Sequence, residues 1–363
     1  MNINILYIDD QQSDLDRYGD FIEECPIPDY QFKVQTKVGT NISENPKILE
    51  EQNPDLIFVD FDFSNVDSAN HVLGMNGATL SNLLRQKFPE VPIVLLTRET
   101  IEKSRDFPQS KEILACIDEI ALKEHLIPPD PKLINCLISL SVGYKSLRAC
   151  ENKNWNNLIN LILAPSKSIE FLKKSYPIEY AKKNNWNAFE AAFWIRKILL
   201  KYPGIVYNDI FAATYLGISI DSFNKEEVKS FFSPALYQGI FVGEQELWWK
   251  TTLNDIVYEK MNDIERNLPL RKGFVKCWER TFGIILNPSV CNYKNDSPAD
   301  TVCCLLNTPV MLKYSLRYFL DPRPDVMDEP RISFKAIQTR NDVNFDLFDE
   351  IGIDIIKERK LKP

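Results

Sequence analysis

An α/β fold is predicted for this chain: a doubly wound, parallel five-stranded sheet at the N-terminus, followed by a mainly α-helical C-terminal domain. Three observations predict it. Short apolar runs that stop abruptly at a carboxylate, a hydroxyl or an amine recur through the first 123 residues, as buried parallel strands do. Segments with apolar residues at helical spacing separate them, and that alternation implies a sheet covered on both faces. Beyond residue 150 helical patterns take over, and all six tryptophans lie there. At 363 residues the chain exceeds one ordinary domain. Two are expected, spanning 1–150 and 151–363.

Residues 2–8 (NINILYI) form the first expected strand, closed by Asp9 and Asp10. Residues 11–24 follow with Leu15, Tyr18, Phe21 and Ile22 at helical spacing. A second strand is expected over 32–38 and part of a helix over 48–52; Pro54 then introduces 55–60 (DLIFVD), an apolar run closed by a carboxylate. Residues 78–87 (ATLSNLLRQK) read as helix and 91–97 (VPIVLLT) as a strong strand. A weaker strand over 117–122 ends at Lys123. Residues 132–150 place Leu133, Cys136, Leu137, Leu140 and Tyr144 on one face of a closing helix.

Composition narrows the function classes. No run approaches the roughly 18–20 apolar residues of a membrane helix, and the acidic turn after MNINILYIDD is unlike a secretory signal. Eight scattered cysteines then read as reduced thiols of a cytoplasmic protein. The two histidines, His71 and His125, both fall before residue 150, which excludes Cys–His, Ser–His–Asp and His-ligated zinc sites built within 150–363. Residues 1–142 hold 12 Lys and Arg against 24 Asp and Glu, while the remainder holds 31 against 27. Such asymmetry points to two modules with different tasks.

In an open parallel sheet, ligands bind outside the carboxyl ends of the strands. The residues ending the strong runs are Asp9 and Asp10, Asp60, Thr97 and Lys123. Clustered carboxylates repel one another unless a hard cation neutralises them, and Mg²⁺ suits oxygen ligands. With the metal bound, Asp60 can act as a nucleophile toward a phosphoryl group. Lys123 and the metal would offset charge on the phosphoryl oxygens, and the Thr97 hydroxyl would hydrogen-bond one of them.

Residues 1–150 thereby resemble the receiver domain of bacterial two-component response regulators, a flavodoxin-like fold. The matching pieces are ILYIDD, PDLIFVD, GMNGATLSNLLRQ, PIVLLT and DEIALK. The resemblance implies phosphotransfer to Asp60 from a sensor histidine kinase or a phosphotransfer protein. It also implies Mg²⁺ held by Asp10, Asp60 and a backbone carbonyl near Asp62, with Asp9 assisting through water. Three departures stand out: Glu124 follows Lys123 where proline is usual, Ile120 occupies a position that is commonly aromatic, and DFSNVDSANHVL lengthens the loop after Phe61. The acceptor chemistry is intact, whereas the usual switching route is in question. Asp9 and Asp10 also have a structural reading as caps of the following helix, and a degenerate receiver that keeps the fold without regulation is the competing account.

The C-terminal half resembles no family. Its tryptophans read as core residues. Residues 213–223 (ATYLGISIDSF) carry a helix-turn-helix-like pattern, with Gly217 for the turn and Ser219 capping a second helix expected to continue through 224–232. Asp221, Glu226 and Glu227 on that helix disfavour DNA phosphates. Cys277, Cys291, Cys303 and Cys304 lack paired knuckle spacing and read as buried thiols, not a zinc site. Residues 321–335 mix Asp321, Asp325, Asp328 and Glu329 with Arg323, Arg331 and Lys335, a surface ion-pair network or, were this half an enzyme, the first place for its site. The expected function is a response-regulator-like signalling protein whose C-terminal domain binds a protein partner. Alternatives are a DNA-binding regulator through 213–232, or an effector enzyme. No membrane partner is expected.

Overall fold

A computed structural model describes residues 1–38, 53–61, 77–98, 116–175, 186–201, 203–243, 245–318 and 325–361. The expected helix over 48–52, the inserted loop, Asp62, His71, Asp321 and Arg323 lie outside these residues. The chain divides into two compact units. The first comprises Met1–Leu161 with Lys183–Ile195 and Ile240–Glu244, and the second the rest. The first therefore takes in more than residues 1–150.

In the first unit β1 (Asn2–Asp9), β2 (Gln31–Val38), β3 (Leu56–Asp60), β4 (Ile93–Thr97) and β5 (Glu119–Leu122) form one parallel sheet in the order β2-β1-β3-β4-β5. Five strands were expected, and five are present. The apolar runs are unbroken because both faces are covered: Ile5, Leu6, Tyr7 and Ile8 in β1 and all of β3 and β4 are buried. Each such aliphatic side chain contributes about 1.5–3 kcal/mol. The helices α1 (Gln12–Glu23), α2 (Gly77–Lys87) and α3 (Pro131–Arg148) supply that cover. The N-terminus of α3 is fixed by Asp130, whose carboxylate accepts from Lys132 N, with Pro131 in the first turn.

Gly77 is required by close packing. A Cβ there would lie 1.8 Å from the Asp60 carbonyl oxygen, so only glycine lets α2 start against the end of β3. Its N–H donates to the Phe61 carbonyl at 3.0 Å.

A buried ionic knot lies at the start of β5. Arg85 donates to Asp118 at 2.5 Å and to the Val91 carbonyl at 2.7 Å. The Asp118 carboxylate also accepts from Ile93 N at 2.8 Å and the Tyr144 hydroxyl at 2.5 Å. The Arg85 guanidinium lies 4.1 Å from the ring centre of Phe189, on α6 (Ala188–Phe193), which follows α4 (Trp155–Leu161) and α5 (Ile169–Ser175) in the chain. Tyr144 in turn meets Phe241 edge-on, and Gly143 leaves room for that ring. These contacts explain why two distant segments belong to the first unit.

The second unit is mainly helical, as expected: α7 (Asp209–Tyr215), α8 (Ile220–Phe223), α9 (Glu226–Phe232), α10 (Lys250–Lys260), α11 (Asp263–Arg266), α12 (Leu270–Phe282), α13 (Phe334–Thr339) and α14 (Glu350–Glu358). It also holds two small sheets. β6 (Val206–Asn208) pairs with β7 (Leu247–Trp249), and β8 (Thr301–Cys303), β9 (Thr308–Val310), β10 (Ser315–Arg317) and β11 (Arg331–Ser333) assemble in the order β10-β11-β8-β9. Trp248 and Trp278 are buried in one aromatic core with Phe223, Phe232 and Phe274, matching the structural reading of the tryptophans.

The helix-turn-helix-like segment is only partly as expected. Gly217 turns with φ +79° and Ser219 accepts from Ser222 N. The second helix does not run through to residue 232: α8 ends at Phe223, and Lys225 is extended before α9 begins. A four-residue helix that buries Phe223 offers no reading helix for a DNA groove. The cysteines are free thiols. Cys277 lies in a different core cluster from Cys291 and Cys303, so the four do not converge.

The knot around Asp118 predicts an asymmetry between ion pairs. Asp118→Ala leaves Arg85 buried without its carboxylate and lowers stability by about 3–5 kcal/mol. Asp342→Ala, which removes a surface pair with Arg340, leaves the thermal midpoint essentially unmoved. Parallel melts of both variants check it.

Candidate functional site

Because all five strands are parallel, their carboxyl ends share one edge of the sheet. Ile8 pairs with Val59, Asp60 with Leu96 and Thr97 with Leu122. This registry puts Asp9, Asp10, Asp60, Thr97 and Lys123 at successive strand ends around the point where the strand order reverses. One carboxylate oxygen each of Asp9, Asp10 and Asp60 lies within 4.8 Å of the other two. Asp9, Asp60, Thr97 and Lys123 are buried, and Asp10 is partly exposed.

Lys123 ties the site together. Its ammonium, on a residue only 1% exposed, lies 2.8 Å from carboxylate oxygens of Asp9, Asp14 and Asp60. Asp9 is further committed: its second oxygen accepts from Gln11 N at 2.9 Å, and the oxygen that Lys123 holds also accepts from the Tyr7 hydroxyl at 2.7 Å. Neither acid of the pair caps α1, whose N-cap is Gln11 with no side-chain bond. Asp60 differs. One of its oxygens is held by Lys123, and the other makes no hydrogen bond to a described residue.

Sequence reasoning missed three members of the site. Tyr7 stands two residues before Asp9, hence on the same face of β1. Asp14, in the first turn of α1, binds both Lys123 and Arg98, the latter at 2.8 Å. Arg98 directly follows Thr97. The signals were faint, since an acid in the first turn of a helix ordinarily complements the helix dipole.

The electrostatics follow from burial and crowding. Burial pushes the Asp60 carboxyl up to about 7; Lys123 opposes this, while Asp9 and Asp10 add to it. Burial alone would lower Lys123, but Asp60, Asp14 and Asp9 hold it above the ordinary lysine value. Burial would raise Asp14, yet Lys123 and Arg98 bring it below the usual carboxylate range. Burial and the neighbouring Asp9 raise Tyr7, which stays a neutral donor. The donor set is all oxygen and carries excess negative charge, which fits a hard divalent cation such as Mg²⁺. Asp10 and Asp60 have the capacity to ligate directly. Asp9, with both oxygens engaged, is suited to an outer role through water.

The acidic stretch of the second unit is an ion-pair network where it is described. Asp328 accepts from Lys250 at 2.9 Å and the Tyr207 hydroxyl at 2.5 Å, while Glu329 pairs with Arg317 at 2.9 Å and Arg331 at 3.6 Å. Among the described residues no helix is long and apolar enough to cross a membrane.

No protein-family model matches the chain, and no curated protein matches it. Among solved structures it is similar to response-regulator receiver proteins. A LuxR-family two-component response regulator from Aurantimonas sp. SI85-9A1 is 17% identical over 39% of this chain and 87% of that one, with a TM-score of 0.29. A CheY-like receiver domain protein from Methanospirillum hungatei JF-1 is 17% identical over 40% and 98%, with a TM-score of 0.27. The response regulator TrrA from Thermotoga maritima, in complex with Mg(2+)-BeF, is 20% identical over 33% and 85%, with a TM-score of 0.23. The likeness is one of fold.

A raised Asp60 carboxyl has a definite pH signature in EDTA. Its folded value of about 7 exceeds the ordinary 3.9 or so of an unfolded aspartate. The protonated form therefore favours the folded state fully below about pH 4, and that contribution is lost as pH rises through 7. The advantage of Asp60→Asn, neutral throughout, over wild type widens by on the order of 3 kcal/mol between pH 5 and pH 8. Mg²⁺ narrows the gap at pH 8. Thermal melts at the two pH values, with and without Mg²⁺, check it.

Proposed function

We propose that this chain is a cytoplasmic, response-regulator-like signalling protein whose N-terminal unit accepts a phosphoryl group on Asp60 and thereby regulates the C-terminal unit. One observation carries the reading: Lys123 bridges Asp9 and Asp60 at 2.8 Å each, while one oxygen each of Asp9, Asp10 and Asp60 lies within 4.8 Å of the others. A structural ion pair needs one carboxylate per ammonium. Four acids around one lysine and one arginine leave negative charge for a cation to neutralise.

The roles follow from the contacts. Lys123 fixes one oxygen of Asp60, so the second attacks the phosphorus of the donor. With phosphohistidine as donor, the P–N bond breaks and the nitrogen keeps the electron pair. Lys123 offsets the charge that stays on the phosphoryl oxygens, and the Thr97 hydroxyl donates to one of them. Mg²⁺, held by Asp10, Asp60 and the backbone carbonyl of Asp62, would supply the remaining positive charge. Tyr7 and Gln11 keep Asp9 oriented; Asp14 and Arg98 keep Lys123 in place. The donor is a sensor histidine kinase or a phosphotransfer protein, and the chemistry of this site is phosphotransfer with hydrolysis of the aspartyl phosphate. The output is contact with a protein partner, in keeping with apolar Ile264, Leu268 and Leu270 exposed together at the α11–α12 corner.

Intact mass after incubation with a small phosphodonor and Mg²⁺ tests the acceptor. Wild type gains one phosphoryl group, Asp60→Asn gains none, and EDTA abolishes the gain. An equal gain in Asp60→Asn would refute the assignment. Lys123→Met loses at least about tenfold in phosphorylation rate, as removal of one charge-assisted contact does.

A further inference from the structure

The second unit carries a cavity of about 350 Å³ whose wall includes Tyr207, Thr214, Tyr215, Lys250, Arg271 and Asp328. That size is at the lower end for small-molecule pockets. Its charges are unevenly matched. The Asp328 carboxylate accepts from Lys250 and Tyr207. Glu329 is paired with Arg317 and Arg331, and Asp300 accepts from Leu312 N at 3.0 Å.

Arg271 is the exception. It stands in the first turn of α12, donates to the Tyr215 carbonyl and also meets the Tyr215 hydroxyl. Its guanidinium lies 4.4 Å from the Tyr215 ring centre and 5.5 Å from that of Phe274. No described carboxylate is within ion-pair distance. A guanidinium has five donors, so most of this one's capacity is unspent, and burial draws its pKa down. Thr214 adds a second unspent group to the same wall: its hydroxyl is buried and makes no hydrogen bond to a described residue. A partly buried cation with no carboxylate at ion-pair distance gains from an anion that completes it.

We propose that this cavity is a binding site for a small organic anion, whose carboxylate or phosphate pairs with Arg271 while an apolar or aromatic body lies against the tyrosine-lined wall. Asp328 and Glu329 at its margin are already ion-paired, and Asp300 is held by Leu312 N. Arg271, Lys250 and the rings are set by β6, α7, α10 and α12, which share one core, so the site is preorganised. It is separate from the Asp60 chemistry.

Calorimetry on the full chain in EDTA, in an Asp60→Asn background, uses four probes: inorganic phosphate, phenyl phosphate, benzoate and benzyl alcohol. Phenyl phosphate, benzoate or both bind more tightly than inorganic phosphate, and benzyl alcohol does not bind. The stronger of the two ring anions tells phosphate from carboxylate. Arg271→Gln, whose amide retains a donor for the Tyr215 carbonyl, weakens binding about 10–100-fold, as loss of a charge-assisted pair does. Arg271→Lys, which keeps the charge without the fork, falls between and serves should the glutamine variant fail to fold. Absence of binding by all three anions, or affinity unchanged in Arg271→Lys and Arg271→Gln, would overturn the proposal.

Discussion

A single buried ammonium organises the N-terminal unit. Lys123 reaches back across the carboxyl edge of the sheet and touches acids from β1, α1 and β3. Asp60, desolvated and crowded by Asp9 and Asp10, would be still less favourable in its ionised form without it. The converse also holds, since a lysine this deeply buried keeps its charge only because the carboxylates surround it. The strand ends are thus bound by mutual electrostatic need, and β1, β3 and β5 have to finish at one level for the need to be met. Apolar burial builds the sheet, and the ammonium fixes where its strands stop.

That arrangement was legible in the sequence to the extent that it obeys a simple rule. Apolar runs ending at a charge or a hydroxyl mark strands buried on both faces, and those polar ends mark the edge of the candidate site. Asp9, Asp10, Asp60, Thr97 and Lys123 were found this way, and all five stand at the expected ends. Asp14 was not, because its role depends on which way α1 turns after the strand, a feature no local pattern encodes. Tyr7 was hidden inside an apolar run, where a tyrosine reads as one more hydrophobe.

The second unit was harder to read for reasons of length and separation. Its strands are three residues each, too short for alternation to register, so β8 to β11 were folded into a general expectation of helices and loops. The break after Phe223 rests on one extended residue, Lys225, inside a stretch of good helix formers. Segments 183–195 and 240–244 join the first unit through Phe189 and Phe241, whose partners are about a hundred residues away in sequence. Composition and periodicity cannot assign such contacts. The charge match in the Arg271 cavity is likewise invisible until distant residues are brought together.

The strand at the margin of the sheet shows one more effect of these ions. Among the described residues β5 has a strand neighbour on one side only, and a four-residue border strand is easily shifted along its neighbour. Here the residue before it is clamped by Arg85 and Tyr144, and the residue after it is clamped by Asp9, Asp14 and Asp60. Sliding by even one step would tear a charge from its counter-charge at one end or the other. The border is therefore locked like a bar bolted at both tips, with ionic contacts doing what a second neighbouring strand would otherwise do.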